Sequence, residues 1–165
     1  MAISAFAAMC FLPLVVPICL YVTYTDLAFM KITNKAVLAL GAVYVILGPF
    51  VLPDLSLYLW GFVYFGIMLL AGIALNAAGA MGAGDAKFLA FAAPFVAPAD
   101  AAQIMILLAA VLLAAVLTHR VARATKLRSY APDWESWKRG KRFPMGLALG
   151  PTLALYLCLG ALNGA

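Results

Sequence analysis

Long apolar stretches, separated by short polar or glycine-rich breaks, run along the whole chain. They divide it into six segments, at about 3–24, 34–52, 56–77, 84–98, 101–118 and 145–163. A helix needs roughly 20 apolar residues to cross the hydrocarbon core of a bilayer. The pattern therefore predicts an all-α polytopic membrane protein with about six transmembrane helices, forming a single integral-membrane domain over residues 1–165.

The fourth segment differs from the others because it has only about 15 residues. It follows a glycine-rich entry and contains Pro94 and Pro98. Irregular backbone is tolerated at membrane depth where it is buried in protein or lines a cavity. We therefore expect this segment to be a broken, re-entrant or tightly packed element.

The basic residues fall in every second break between segments. Lys31 and Lys35 lie in the first break, Lys87 lies just after the third, and the other eight of the 11 lie in a loop at about 119–144. With six spans these breaks share one side of the membrane, and the opposite breaks carry no basic residue. The positive-inside rule makes the basic side cytoplasmic and places both termini outside.

Composition supports the membrane assignment and limits the partners. The chain is 67% hydrophobic and only 10% charged. So high an apolar fraction is not typical of a water-soluble domain of this size. The net charge of +5 belongs mainly to the 119–144 loop. Its charges are interleaved with aromatic residues, so we expect contact with anionic membrane lipids and no nucleic-acid partner.

The thiols and the histidine give no sign of a metal site. Cys10, Cys19 and Cys158 all lie in apolar runs without a CxxC pair, so we interpret them as small buried hydrophobes. His119 stands alone at the end of a segment and is interpreted as an interfacial residue. We expect neither a metal nor a cofactor.

Two of the six acidic residues lie at predicted membrane boundaries. Asp26 ends the first segment, and Asp85 opens the fourth, directly after Gly82 and Gly84. Carboxylates next to hydrocarbon are costly and usually mark a function. Glycines allow the close backbone approach that such a site needs. Two carboxylates on one side of the membrane predict aspartyl proteolysis, in which a shared proton makes one the acid and the other the base.

Two other classes of protein fit the same residues. A small proton-coupled carrier would use the two aspartates as a proton relay and would depend on a proton gradient. A noncatalytic membrane component of a secretion or pilus-assembly system would tolerate Asp→Asn changes at both positions.

The order of three motifs resembles the type IV prepilin peptidase family. Residues 82–89, Gly-Ala-Gly-Asp-Ala-Lys-Phe-Leu, resemble its GxGD-x-K segment. Residues 26–34, Asp-Leu-Ala-Phe-Met-Lys-Ile-Thr-Asn, are similar to its first aspartate segment, with Thr33 where the family commonly has proline. Phe143-Pro144-Met145-Gly146 resembles its entry into the last span. The resemblance covers nearly the whole chain.

The resemblance implies a membrane aspartyl endopeptidase of the bacterial inner (cytoplasmic) membrane. Asp26 and Asp85 would activate one water without a metal, a cofactor or a covalent intermediate. The substrate would be a prepilin or pseudopilin with an N-terminal leader. The missing cysteine pairs and the early position of Asp26 resemble the short, peptidase-only members of Flp-type tight-adherence pili, which implies that methyltransferase activity is absent.

Neighbouring residues are expected to shape this site. Gly82 and Gly84 would form its turn, and Lys31 and Lys87 would tune it or extend to the interface. Asn34 and Asn76 would cap helices, with the orientation of a site water as the alternative role.

Overall fold

Helices dominate the computed structural model, which describes residues 1–139 and 142–165. No strand occurs in these ranges, and Lys141 of the basic loop lies outside them. The α-helices are α1 (Ala5–Phe29), α2 (Asn34–Val51), α3 (Leu55–Ala77), α4 (Ala83–Ala92), α5 (Ala101–Ala124) and α6 (Gly146–Asn163). The predicted all-α class is confirmed.

Five of the six helices are long and apolar enough to cross a membrane. They are α1, α2, α3 and α6, and also α5 when the turn directly before it is included. These five candidate spans have 18 to 27 residues. The chain is thus a multi-pass membrane protein. The exception is α4, whose 10 residues extend only about 15 Å at the usual helical rise.

The predicted break in the fourth segment is present after α4. A 3-10 turn at Ala93–Phe95 and a second at Pro98–Asp100 follow the short helix. Each turn has a proline at its start, where the missing N–H costs no helical hydrogen bond. The segment therefore continues across the bundle as a short helix and two separate turns.

The far end of this broken segment is fastened beside the first residues of the chain. The buried carboxylate of Asp100 accepts the N–H of Ala2 at 2.8 Å, the N–H of Ile3 at 3.2 Å and the hydroxyl of Tyr156 at 2.9 Å. Ala165 N donates to Ile3 O at 3.2 Å in the same region. Both chain ends therefore lie at the end of the bundle opposite to Asp26.

The closest helix packing is between α1 and α6 and between α3 and α4, while the buried core side chains come mainly from α1, α2, α4 and α6. A Cβ on Gly150 of α6 would lie 2.7 Å from the carbonyl oxygen of Cys19, so the α1 and α6 backbones approach closely because this glycine has no side chain. Cys19 is buried, Cys10 and Cys158 are partly buried, and all three are free thiols. The interpretation of these cysteines as packing residues agrees with their placement.

The loop between α5 and α6 folds back over the end of the bundle that contains Asp26. Its Trp137 stacks on His119 with ring centroids 4.9 Å apart, and Trp134 stacks on Trp137 at 5.6 Å. Trp134 also meets Tyr24 of α1 edge-on at 6.4 Å. His119 is therefore buried beneath aromatic rings of this loop.

Candidate active site

Asp26 lies in the last turn of α1 and is held from two directions. The helix ends at Met30, whose left-handed backbone (φ 53°) lets its N–H donate to the carbonyl oxygen of Asp26 at 2.9 Å. The side chain is only 5% exposed, and its Oδ2 accepts the N–H of Gly146 at 2.6 Å. The carboxylate therefore has a fixed position at the junction of α1 and α6.

Gly146 is required by the closeness of this contact. It is the first residue of α6, and a Cβ there would lie 2.8 Å from the Cβ of Asp26 and 3.0 Å from its Oδ2. Unstrained carbon contacts are about 3.5–4.0 Å. Sequence reasoning recognised this residue as part of the entry to the last span, but it did not connect it with Asp26.

Asp85 occupies the first turn of α4, where the helix dipole favours a negative charge. The preceding Gly82 is the N-cap residue, and its backbone donates a hydrogen bond to the Asp85 carboxylate. A Cβ on Gly82 would lie 2.6 Å from Asp85 Oδ2, and one on Gly84 would lie 3.3 Å from the Cβ of Ile32. The two glycines thus let Asp85 fold against its own turn and let α4 approach the α1–α2 connection.

Both aspartates line one cavity of about 480 Å³. Its walls come from the end of α1, the turn before α4 and the residues that lead into α6. Besides Asp26 and Asp85 it is lined by Met30, Gly79, Ala80, Met81, Gly82, Arg139, Arg142, Phe143 and Met145. Residues far apart in sequence thus bring the two carboxylates to one space at the same end of the bundle.

The cavity changes the acidity of Asp85. Burial is the main cause and the negative charge of Asp26 adds to it, so that the pKa of Asp85 rises to about 6, although the Gly82 hydrogen bond opposes the rise. Two nearby carboxylates resist double ionisation and titrate as a pair. Two carboxylates that share one proton are the arrangement that an acid–base dyad requires.

The polar residues predicted to shape the site lie outside this cavity. Lys87 Nζ donates to Asn34 Oδ1 at 3.1 Å and so ties α4 to the first turn of α2. Lys31 is exposed in the connection between α1 and α2. None of these three residues is part of the lining, and the contact between Lys87 and Asn34 indicates a role in holding α2 and α4 together.

The expectation that Asn34 and Asn76 cap helices is wrong. Thr33 is the N-cap of α2, because its hydroxyl oxygen accepts the N–H of Ala36 at 3.3 Å. Asn76 lies inside the last turn of α3, and its side chain donates to Met81 O at 2.8 Å. Asn76 thereby closes the turn that leads to Gly82.

Two arginines of the cavity were not singled out from the sequence. Arg139 and Arg142 line the space that contains the aspartates, and Arg139 also donates to Glu135 Oε2 at 2.9 Å. The sequence showed them only as part of a basic loop that indicates topology. Their order just before the Phe143–Gly146 motif was the one signal that could have placed them near the site.

This fold and cavity define a class of protein, a helical membrane protein with a pair of neighbouring aspartates at one end of its bundle. A model of the type IV leader peptidase family matches residues 13–119, a stretch that covers more than half of the chain and includes both aspartates. The chain therefore belongs to the type IV leader peptidase family, which gives it a peptidase activity on a protein substrate. No curated protein and no solved structure gives a match.

Proposed function

We propose that this chain is a membrane aspartyl endopeptidase that removes the leader peptide from type IV prepilins of the Flp-like kind or from pseudopilins. Asp26 and Asp85 are the catalytic residues in this proposal. The observation that carries it is their meeting in one cavity, where burial and, in addition, the charge of Asp26 raise the pKa of Asp85. Membership of the leader peptidase family supports the reaction class.

The proposed chemistry uses one water and one shared proton. The ionised carboxylate takes a proton from the water as the water oxygen attacks the scissile carbonyl carbon. The protonated carboxyl donates a hydrogen bond to the carbonyl oxygen. The tetrahedral intermediate then breaks its C–N bond as a proton passes to the leaving amine. General acid–base catalysis of this kind contributes roughly 10²- to 10⁴-fold to a rate.

The side of the membrane follows from the basic residues. The connection at 30–33 and the described parts of the connection between α5 and α6, 125–139 and 142–145, lie at the end of the bundle that contains both aspartates. They hold or adjoin most of the Lys and Arg residues of the described chain. By the positive-inside rule this end faces the cytoplasm. The proposed enzyme therefore cleaves leaders on the cytoplasmic side of the bacterial inner membrane, and residues 1–165 act as one domain in which both chain ends lie outside.

The proposal is tested by co-expressing the chain with an Flp-type prepilin in a peptidase-deficient bacterium. Cleavage is read as a mobility shift on an immunoblot. We expect the wild type to cleave and both Asp26→Asn and Asp85→Asn to lose cleavage at matched membrane levels. Asp54→Asn is the matched control, because Asp54 only caps α3 at the opposite end of the bundle.

The alternatives give a different result in this assay. Cleavage that persists in either aspartate variant would remove that residue from the chemistry. No cleavage of the prepilin by wild type would favour the proton-coupled carrier or the noncatalytic assembly component. The peptidase also predicts that cleavage persists in detergent without a proton gradient.

A further inference from the structure

A second cavity, of about 370 Å³, forms an open groove between α3, α4 and α5, with α6 at its base. Its lining is apolar along its whole length. The residues that define it include Met68 of α3, Phe88 and Leu89 of α4, Met105 of α5, and Leu149 and Leu153 of α6. We call this space the α3–α5 groove.

The groove offers an occupant almost no hydrogen bonds from side chains. Only Tyr64 and Thr152 in its lining carry polar side-chain atoms, and the Thr152 hydroxyl already donates to Ala148 O at 2.8 Å. A polypeptide at membrane depth must satisfy its own backbone groups. A peptide occupant of this groove is therefore an apolar helix.

The groove begins about one helical turn away from the cavity of the aspartates. Phe88 and Leu89 follow Asp85 by one turn of α4, and Leu149 follows Met145 by one turn of α6. One helical turn is about 5.4 Å. The two cavities thus share α4 and α6 as walls, and the groove extends from near the aspartates to Ala101 at the other end of the broken segment.

The helices that flank the groove have little else packed on them. Only 11% of the apolar window of α3 and 6% of that of α5 is buried, compared with 50% in α6. Exposed apolar side chains on both helices, such as Ile67 and Met105, border the opening. A second helix can therefore enter from the membrane without displacing any described element.

We propose that the α3–α5 groove binds the apolar helical segment of the substrate that adjoins the scissile bond. This inference rests on the proposed function, because it assigns the groove to the substrate of the same aspartates. The position of the groove one helical turn from their cavity favours this occupant over a lipid acyl chain, since a bound polypeptide has to leave the reaction site along some wall, and α4 and α6 lead from the aspartates to the groove.

The size of the groove sets how much of the helix it holds. A cavity of about 150 Å³ accommodates one benzene-sized ring. A space of about 370 Å³ therefore takes roughly two large apolar side chains, spaced as i and i+3 or i+4 on one face of the substrate helix. Lipid tails are as apolar as these side chains, so selectivity comes from the fit of shapes.

The test fills the groove at Met105 and compares two substrates in nanodiscs. Met105→Trp places an indole in the groove, and Ile106→Trp is the matched control, because Ile106 is similarly exposed on α5 and lies outside the lining. One substrate is a synthetic prepilin peptide with the leader, the junction and the apolar segment. The other is a water-soluble peptide that ends shortly after the junction.

We expect Met105→Trp to raise the KM for the long substrate about tenfold, with kcat within twofold of wild type. Cleavage of the short peptide should not change, and Ile106→Trp should behave as wild type with both substrates. An equal response of the two substrates to Met105→Trp, or no response of either, would overturn the inference and leave the proposed function intact.

A cross-linking measurement reads binding without cleavage. A benzophenone amino acid replaces Met105 in the Asp85→Asn chain, which is irradiated with the long peptide in nanodiscs of phosphatidylethanolamine and phosphatidylglycerol. We expect an adduct with the peptide, at residues of its apolar segment. Adducts with lipid alone would overturn the inference. If wild type cleaves neither peptide, the proposed function fails, and this adduct still decides what the groove binds.

Discussion

The contact between Gly146 and Asp26 gives the sharpest mutational prediction. In Gly146→Ala, the new Cβ would lie 2.8 Å from the Cβ of Asp26 and 3.0 Å from its Oδ2. Restoring ordinary carbon contacts of about 3.5–4.0 Å requires a relative shift of about 0.7–1.2 Å. The Gly146 N–H bond to Asp26, now 2.6 Å, would lengthen or break.

The expected effect on catalysis is comparable in free energy with the effect on stability, because 100-fold in rate corresponds to about 2.7 kcal/mol. Inserting one methyl group into a packed site costs about 1–3 kcal/mol. A misplacement of about 1 Å in catalytic geometry costs roughly 10²-fold in rate. We therefore predict that Gly146→Ala lowers kcat for leader cleavage about 100-fold, with KM nearly unchanged and with the protein still folded in detergent.

Two further glycines separate catalysis from packing. Gly160→Ala crowds the same α1–α6 pair at its opposite end, where a Cβ would lie 2.6 Å from Ile3. Gly66→Ala meets no atom within 4 Å. In a steady-state cleavage assay, both should keep kcat within about threefold of wild type. Full activity of Gly146→Ala, or an equal loss in Gly160→Ala, would refute the reasoning.

Two other predictions concern stability and pH. Asp100→Ala leaves two N–H groups and one hydroxyl without their acceptor and should lower the free energy of unfolding by about 3 kcal/mol. The exposed cap variant Asp54→Ala should lower it by only about 1 kcal/mol. Equal melting temperatures of the two variants in detergent would contradict this prediction. Because the pKa of Asp85 rises from 3.8 to about 6, kcat/KM should fall about tenfold per pH unit above pH 6 as the shared proton is lost. A pH series with purified enzyme checks this, and a rate that still rises beyond pH 8 would exclude a shared proton.

The same raised pKa affects folding in a defined direction. The folded state holds the Asp85 proton more tightly than the unfolded chain does. This group therefore contributes stability that is fully present below about pH 4 and is lost as the pH rises through 6. Both the cleavage rate and the stability contributed by this group are therefore expected to decrease as the pH rises through about 6.

Much of the fold could be predicted because few backbone structures are stable in the hydrocarbon core of a membrane. The long apolar runs became helices since every backbone group in a membrane needs an internal partner. The short segment with Pro94 and Pro98 became a helix followed by 3-10 turns, as proline chemistry predicts. The scarcity of acidic residues was enough to single out Asp26 and Asp85.

The remaining features depend on contacts between residues far apart in the sequence. Asp100 looked like an ordinary residue of a connection, but the backbone of Ala2 and Ile3 reaches it from nearly a hundred residues away. Gly146 meets Asp26 across a similar separation. No local pattern encodes such pairs, because they form only when elements far apart in the sequence are packed together.

The cap of α2 shows a different limit. Thr33 and Asn34 are adjacent, and both are residue types that favour N-cap positions. The predicted start of this segment at residue 34 agrees with the start of α2, and only the capping role was assigned to the wrong residue. Because Thr33 caps the helix, the Asn34 side chain is available to accept the hydrogen bond from Lys87. No pattern in the sequence indicates this contact.

The most direct test of the central claim is the single-turnover cleavage rate of purified protein in detergent, without any membrane gradient. Wild type, Asp26→Asn and Asp85→Asn are compared on one prepilin peptide, with Asp54→Asn as the control. The account predicts cleavage by wild type and the control, and a loss of at least about 10³-fold in each of the other two variants. Cleavage by Asp26→Asn or Asp85→Asn within tenfold of wild type would contradict it.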